Sequence, residues 1–124
     1  MRHCIILIVM AAALTACTDH SRRNEIEARR AALVHKQDSA LAEAQQRLAI
    51  VDSLLEATRR EHDAQHQWVM EHATQLSDQS EEVVRLNRLR AHRDSLEAEW
   101  QTLGAKIKYI RRLQEGRRDS VGRP

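Results

Sequence analysis

Two histidines one helical turn apart have the residue type and spacing best suited to chemistry in this chain. His62 and His66, in the run HDAQH, have the i,i+4 spacing with which a helix offers two imidazoles to zinc. A metal-dependent hydrolase with this spacing needs glutamate as general base where Asp63 stands, and a third ligand as well. The next histidine, His72, lies about 9 Å further along a continuous helix. We therefore interpret His62 and His66 as solvated or seam residues, and a metal binder or metal-dependent hydrolase remains the disfavoured alternative.

The remaining residues show no pattern typical of a catalytic or ligand site. The sequence contains no nucleophile–base pair, glycine-rich phosphate loop or cysteine metal cluster. The formal charge is +2, from 20 basic and 18 acidic side chains, whereas a surface that follows nucleic-acid phosphates needs a large basic excess. The sequence therefore predicts a protein that is not an enzyme, holds no cofactor and binds neither nucleic acid nor a small-molecule substrate.

The composition predicts an all-α chain. Charged residues make up 31% and aromatic residues 2%, with no Phe, so few large groups are available to fill a globular core. Gly and Pro are absent from residues 18–103, which leaves a long stretch without a strong helix breaker. Acid-first i,i+4 pairs such as Glu25 with Arg29 and Glu56 with Arg60 indicate a solvated helix face.

Apolar residues recur in heptads, which predicts a long amphipathic helix that forms a coiled coil. Leu41, Leu48 and Leu55 occupy one seam position, and Ala44 and Val51 occupy the other. Further along, the same two positions carry the polar residues Thr58, His62, Gln65, His72 and Gln79. After Leu86 the frame slips by one residue, and the most apolar stripe of the chain follows. We predict that this stripe binds a partner through Leu89, Leu96, Trp100, Leu103, Ile107 and Ile110.

Two architectures fit this pattern. In the first, one unbroken helix spans residues 24–115, begins at the N-cap Asn24 and ends at the C-cap Gly116. Such a helix would be on the order of 135 Å long and would need other copies or a partner to cover its stripe. The polar, Arg-rich residues 116–124 would form a disordered basic tail.

In the second architecture the chain turns back near residues 77–80 and forms a helical hairpin. Asp78 together with Glu81 would cap the second helix, and the stripe at residues 96–110 would fold onto the stripe at residues 41–55. The predicted turn contains neither Gly nor Pro. That absence favours the unbroken helix slightly, and both architectures remain open at this point.

The first 16 residues have the pattern of a secretion signal. A short basic start precedes ten apolar residues, 4–13, which are too few for a bilayer span of about 20 residues. The run Leu14-Thr15-Ala16-Cys17 follows and resembles the bacterial lipobox, which ends in the cysteine that receives lipid. This resemblance implies that Cys17 first gains a diacylglyceryl thioether. Cleavage after Ala16 then follows, and the new amino group of Cys17 receives an N-acyl chain such as palmitate.

The resemblance sets the expected location and role. Residues 17–23 would be the lipidated start and a short tether, and residues 24–115 the coiled-coil region. Thr18 stands where Asp tends to retain lipoproteins at the inner membrane, which favours the outer membrane in a bacterium with two membranes. We expect an envelope lipoprotein that acts as a non-catalytic coiled-coil spacer, scaffold or adaptor and binds the membrane, itself or another helical envelope protein. The alternative is a helical-hairpin subunit of a larger envelope complex.

Overall fold

The computed structural model describes the backbone of residues 2–122 and the side chains of residues 19–122. Helix α1 spans Arg2–Glu71, a short 3-10 helix follows at Ala73–Gln75, and helix α2 spans Glu81–Val121. No strand occurs within this described backbone, which confirms the predicted all-α class. The chain divides into two units, Met1–Ser39 and Ala40–Pro124.

The second unit is a helical hairpin. Residues 40–71 of α1 run antiparallel to α2, and the core between them is formed by Val51 and Leu55 against Leu96, with Leu103 packed beside them. The predicted turn-back is therefore confirmed, and the unbroken helix is wrong. A straight helix would leave both apolar stripes in water, at about 25 cal/mol per Å² of apolar surface, whereas the hairpin buries them at the cost of a few helical hydrogen bonds in the turn.

The heptad pattern correctly predicts which residues of α1 enter the seam. Ala44, Val51 and Leu55 are buried, and Leu41 and Leu48 are half-buried. The polar seam positions Thr58 and His62 are buried too, since the helix carries them to the same face as the leucines. The facing helix α2 contributes buried side chains at Leu86, Leu96, Ile107 and Ile110.

The turn between the helices is closed by polar hydrogen bonds instead of Gly or Pro. The Ser77 N–H donates to Ser80 Oγ at 2.9 Å, and the Ser80 N–H donates to the Ser77 carbonyl oxygen at 2.9 Å. Ser80 is the N-cap of α2, and its carbonyl oxygen accepts the Val84 N–H at 3.0 Å. The prediction that Asp78 caps α2 is therefore wrong, because the chain needs two further residues to close the turn before helical hydrogen bonding starts.

Helix α1 begins before the predicted N-cap. Residues 19–23 are helical, so Asn24 lies inside α1, and this part of the predicted tether is not extended chain. Ser21 and Asn24 cost only fractions of a kcal/mol inside a helix, and they lie among the good helix formers Arg22, Arg23 and Glu25. A capping residue stabilises a helix end only where the neighbouring residues do not favour continuing the helix.

Helix α2 continues past the predicted C-cap. Gly116 lies inside the helix, and the C-cap is Gly122, whose N–H donates to the Arg118 carbonyl oxygen at 3.1 Å. The predicted disorder of residues 116–121 is therefore wrong, while Arg123 and Pro124 lie outside the described residues. A single Gly costs a helix about 1 kcal/mol relative to Ala, which neighbouring helix formers and an Arg in the last turn offset.

The described side chains of the first unit, from residue 19 to residue 39, form a largely exposed stretch of α1. Glu25 accepts a hydrogen bond from Arg29 at 2.6 Å, which is one of the predicted i,i+4 pairs. Ile26 and Leu33, seven residues apart, are both about half exposed.

Candidate functional site

The predicted lipid anchor is Cys17, near the start of the chain. Cys17 and the predicted cleavage position at Ala16 lie outside the residues whose side chains the structure describes. Across residues 19–122, no helix has a stretch long and apolar enough to cross a membrane.

His62 lies in the seam of the hairpin, and His66 lies one turn further along α1 at the surface. The His62 side chain is buried, with a relative exposure of 7%. Its Nδ1 atom lies 3.0 Å from the Asp63 carboxylate, while its Nε2 atom is buried without a hydrogen-bond partner. The two imidazole rings stack with their centroids 6.0 Å apart. The helix thus places one of the two predicted ligands inside the seam and the other outside it.

A metal at this pair would lack further protein ligands. No group of three or more His, Cys, Asp or Glu side chains suited to hold an ion occurs among residues 19–122. The other nearby histidine, His72, has its Nδ1 atom 2.8 Å from the Trp68 carbonyl oxygen, and its ring stacks on the Trp68 indole at 4.2 Å. Catalytic zinc sites use three protein ligands, so the described geometry offers no support for the metal-dependent alternative.

The stripe predicted to bind a partner is mostly covered by the chain's own fold. Leu96, Ile107 and Ile110 are buried, and Leu89 and Leu103 are half-buried. The hairpin thus covers these side chains with its own first helix, and the role of the stripe in binding a partner stays a prediction. Trp100 is the exception, since 43% of its surface remains exposed.

Trp100 forms one wall of a shallow surface groove of about 510 Å³ between the two helices. Its floor and walls are mainly aliphatic and aromatic, with one acidic and one basic residue at the rim. The lining residues are Gln45, Leu48, Ala49, Asp52, Trp100, Ile107 and Arg111. A groove of this kind suits an apolar side chain presented by a partner helix better than it suits an enclosed small molecule.

A second, more polar groove of about 310 Å³ lies near the turn. It is lined by Gln65, Trp68, Glu81, Glu82 and Arg85. The Gln65 side-chain amide donates to the Glu82 carbonyl oxygen at 3.2 Å, which links the last turns of α1 to the first turn of α2. Its open shape and charged rim do not exclude water as catalysis by a cleft requires.

Ion pairs connect the two helices of the hairpin at its surface. Arg47 donates two hydrogen bonds to Glu99, at 2.7 and 3.2 Å, and Arg85 donates to Glu61 at 2.8 Å. The hydrogen bond from Arg47 holds the pKa of the Glu99 carboxyl below its ordinary value of 4.5, and the same bond raises the pKa of Arg47. These pairs are solvent-exposed, so they contribute to alignment more than to stability.

Helix α1 carries a second apolar stripe that was not among the residues predicted from the first heptad pattern. Its members are exposed and lie beside the seam residues: Ile50, Leu54, Ala57, Ala64 and Trp68. They share two heptad positions of their own, which a search for a second heptad register would have found. Arg47 and Glu61 lie at the same heptad position as Leu54 and Trp68, and both are paired with residues of α2.

No protein family, curated protein or solved structure matches this chain.

Proposed function

We propose that this protein is a lipid-anchored lipoprotein of the bacterial envelope whose helical hairpin acts as a non-catalytic spacer, scaffold or adaptor. The observation that carries the proposal is the run Leu14-Thr15-Ala16-Cys17 directly after ten apolar residues. Those ten residues are too few to span a bilayer, and a cysteine at their end provides the site for acyl chains. One acyl chain gives only marginal membrane binding, at about 0.8 kcal/mol per buried methylene, while two or three hold a soluble domain firmly.

The chemistry of the described side chains supports a non-catalytic role. The seam is filled mainly by aliphatic side chains, and its buried polar residues are Thr58 and His62. Both surface grooves are open to solvent, whereas general acid–base or nucleophilic catalysis needs converging groups in a place that limits water.

Dimensions and surface chemistry support a spacer or adaptor. Helix α2 has 41 residues, which corresponds to about 61 Å of helix. The hairpin can therefore separate two attachment points by a distance of this order, and its charged faces keep it solvated. Thr18 after the proposed lipidated cysteine favours the outer membrane over the inner one.

Mass spectrometry of the native product tests the anchor. The full-length chain is produced in a bacterium and recovered from the membrane fraction. We expect a mature N-terminus at Cys17 that carries a diacylglyceryl thioether and an N-acyl chain. Cys17→Ser should prevent both lipidation and this cleavage, and Cys4→Ser is the matched control, because Cys4 lies inside the proposed signal. An unmodified thiol at Cys17, or a start at another residue, would contradict the proposal.

The exposed Trp100 and its groove favour the alternative of a subunit in a larger envelope complex. Replacing Trp100 with a photo-crosslinking amino acid in cells tests this alternative. A single dominant foreign protein attached at this position supports a subunit or adaptor. A spacer is supported if position 100 forms no crosslinked product, or no more of it than an exposed control position such as Ser53.

A further inference from the structure

The second apolar stripe of α1 runs along the hairpin, and no element among residues 19–122 covers it. It consists of Ile50, Leu54, Ala57, Ala64 and Trp68, and its three large members are 41–48% exposed. One face of this helix already packs on α2 through the seam residues Val51 and Leu55. A helix with two adjacent heptad stripes is typical of bundles in which it contacts two other helices, and the hairpin supplies only one.

Three charged residues lie at the stripe's two heptad positions between Ala40 and Trp68, namely Glu43, Arg47 and Glu61. Glu43 is near one end, and the other two are held by the chain itself. Arg47 and Glu61 lie seven residues before and after Leu54. Arg47 is bound to Glu99 at 2.7 Å, and Glu61 is bound to Arg85 at 2.8 Å. Because the charges of Arg47 and Glu61 are compensated within the hairpin, neither prevents another helix from approaching the stripe. Glu43 would face the small side chain of Ala64 in a reversed copy. Opposite charges at equal distances from Leu54 also make the stripe complementary to itself when it is reversed.

The sizes of the side chains follow the same symmetry about Leu54 to within one residue. Ile50 lies four residues before Leu54 and Ala57 three residues after it. In an antiparallel pair of α1 helices, the large side chain of one copy would therefore face the small side chain of the other. Ala40 and Trp68 lie fourteen residues on either side, again one small and one large. In a parallel pairing, by contrast, Trp68 would meet Trp68 and Arg47 would meet Arg47. Such a pairing crowds aromatic groups and juxtaposes like charges.

From this symmetry we propose that a second copy of this chain covers the stripe, with the two α1 helices antiparallel and the two-fold axis near Leu54. Arg47 of each copy then faces Glu61 of the other, Ile50 faces Ala57, and Trp68 lies over Ala40. An antiparallel two-fold contact uses the same patch on both copies and closes on itself, so the assembly stops at a dimer.

The area of the stripe indicates a weak dimer. The stripe from Ala40 to Trp68 is about 42 Å long, and a helix covers a strip roughly 10 Å wide. Each copy therefore contributes about 400 Å², and the pair about 800 Å², which is below the 1,200–2,000 Å² of stable specific interfaces. We expect the contact to form at high protein concentration or where the copies share a confined space. The inference does not rest on the proposed lipid anchor.

Thiol crosslinking of the full-length chain in mild detergent tests the dimer and its direction. Glu43 and Ala64 are exposed and lie eleven residues before and ten residues after Leu54, so the antiparallel contact brings Glu43 of one copy close to Ala64 of the other. A mixture of Glu43→Cys and Ala64→Cys chains should form a dimer with a bismaleimide linker of about 10 Å, a helix diameter. Either variant alone should not crosslink, because its two thiols would lie about 30 Å apart or more.

Two variants show whether the stripe carries the contact. Leu54→Glu should lower the crosslinking yield of the mixture about tenfold, because it places like charges at the axis. Ser53→Glu, which adds the same charge at an exposed position outside both stripes, should leave the yield unchanged. Circular dichroism must show unchanged helix content in both, so that a lower yield reports lost contact and not lost folding.

The remaining outcomes would overturn the inference. Strong crosslinking of Glu43→Cys alone would show a parallel pair, and a mixture that crosslinks no better than Ser53→Cys would show no dimer through the stripe. Crosslinking in cells to a protein of different mass, in place of the second copy, would show another occupant. The unsubstituted chain is the control for crosslinking through its own Cys4 or Cys17. The mass of the unsubstituted chain shows separately whether it carries lipid. The experiment therefore distinguishes the absence of a dimer from the absence of a lipid anchor.

Discussion

Replacing the buried seam histidine with leucine should stabilise the hairpin. The His62 Nε2 atom is buried without a partner, and a buried unsatisfied group of this kind costs about 1–3 kcal/mol. A leucine at the same seam position adds roughly 1 kcal/mol through wholly apolar packing. His62→Leu removes the contact between the His62 Nδ1 atom and the Asp63 carboxylate, which are 3.0 Å apart. Such a contact contributes about 0.5–1.5 kcal/mol, and the exposed Asp63 carboxylate remains solvated without it. We expect His62→Leu to raise the free energy of unfolding by about 2 kcal/mol.

His66→Leu is the matched control for this substitution. His66 lies on the same helix one turn away, but its side chain is exposed, so the same exchange should change stability only by the few tenths of a kcal/mol that separate the helix propensities of Leu and His. Urea unfolding followed by far-ultraviolet circular dichroism measures both variants. For a unit of this size the gain in His62→Leu corresponds to an increase in Tm of about 10 °C.

The result that refutes the reasoning is a His62→Leu chain no more stable than the His66→Leu chain. That outcome would mean that the imidazole at position 62 is solvated, and so that α2 does not cover this part of α1. A loss of stability in His62→Leu would show that the imidazole has a partner in the seam which leucine cannot replace.

Three further predictions concern the core, the glycines and the ion pair across the hairpin. Val51→Ala should lower the free energy of unfolding by about 2 kcal/mol, because Val51 is fully buried and loses two methyl groups; a urea midpoint equal to that of the unsubstituted chain would contradict the core assignment. Gly104→Ala and Gly116→Ala should each raise the free energy of unfolding by up to about 1 kcal/mol, since both glycines are helical and a Cβ at either position meets nothing within 4 Å. A lower Tm in either variant would show that another group packs against the glycine. The pKa of Glu99 is lower in the folded chain than its ordinary value of 4.5. The ion pair of Glu99 with Arg47 therefore stabilises the hairpin at pH values above 4.5. This stabilisation is lost as the pH falls from 4.5 through the lower pKa of the folded chain. Glu99→Gln should therefore make the fall of Tm on acidification less steep, and an unchanged acid profile would show that the bond from Arg47 is not maintained in solution.

The helix ends show why local sequence signals failed. Asn24 and Gly116 are good capping residues, yet both lie inside helices that continue past them. A cap contributes only about 1 kcal/mol, and whether a helix ends at a capping residue depends on what the next residues gain by continuing. At Ser80, by contrast, the chain reverses, and the helix starts where the polar turn is completed.

Heptad spacing alone determined which face of α1 is buried. The period of the pattern places Val51, Leu55, Thr58 and His62 on one side of the helix whatever their polarity, because helical geometry and not hydrophobicity decides which positions share a face. The sequence likewise determined the helical class and the existence of an apolar stripe around Leu96 that needs a cover.

Only the tertiary structure decided what covers that stripe. An apolar face gains nearly the same free energy against its own chain, a second copy or a foreign helix, because burial is non-directional, and so the pattern could not choose between the unbroken helix and the hairpin. The choice depends on contacts between residues distant in sequence, such as Val51 with Leu96 and Arg47 with Glu99, and on a turn whose Ser77 and Ser80 hydrogen bonds exist only once the chain has reversed. The closed hairpin leaves Trp100 and the stripe around Leu54 exposed, and these are the two surfaces on which the proposals of a partner and of a second copy rest.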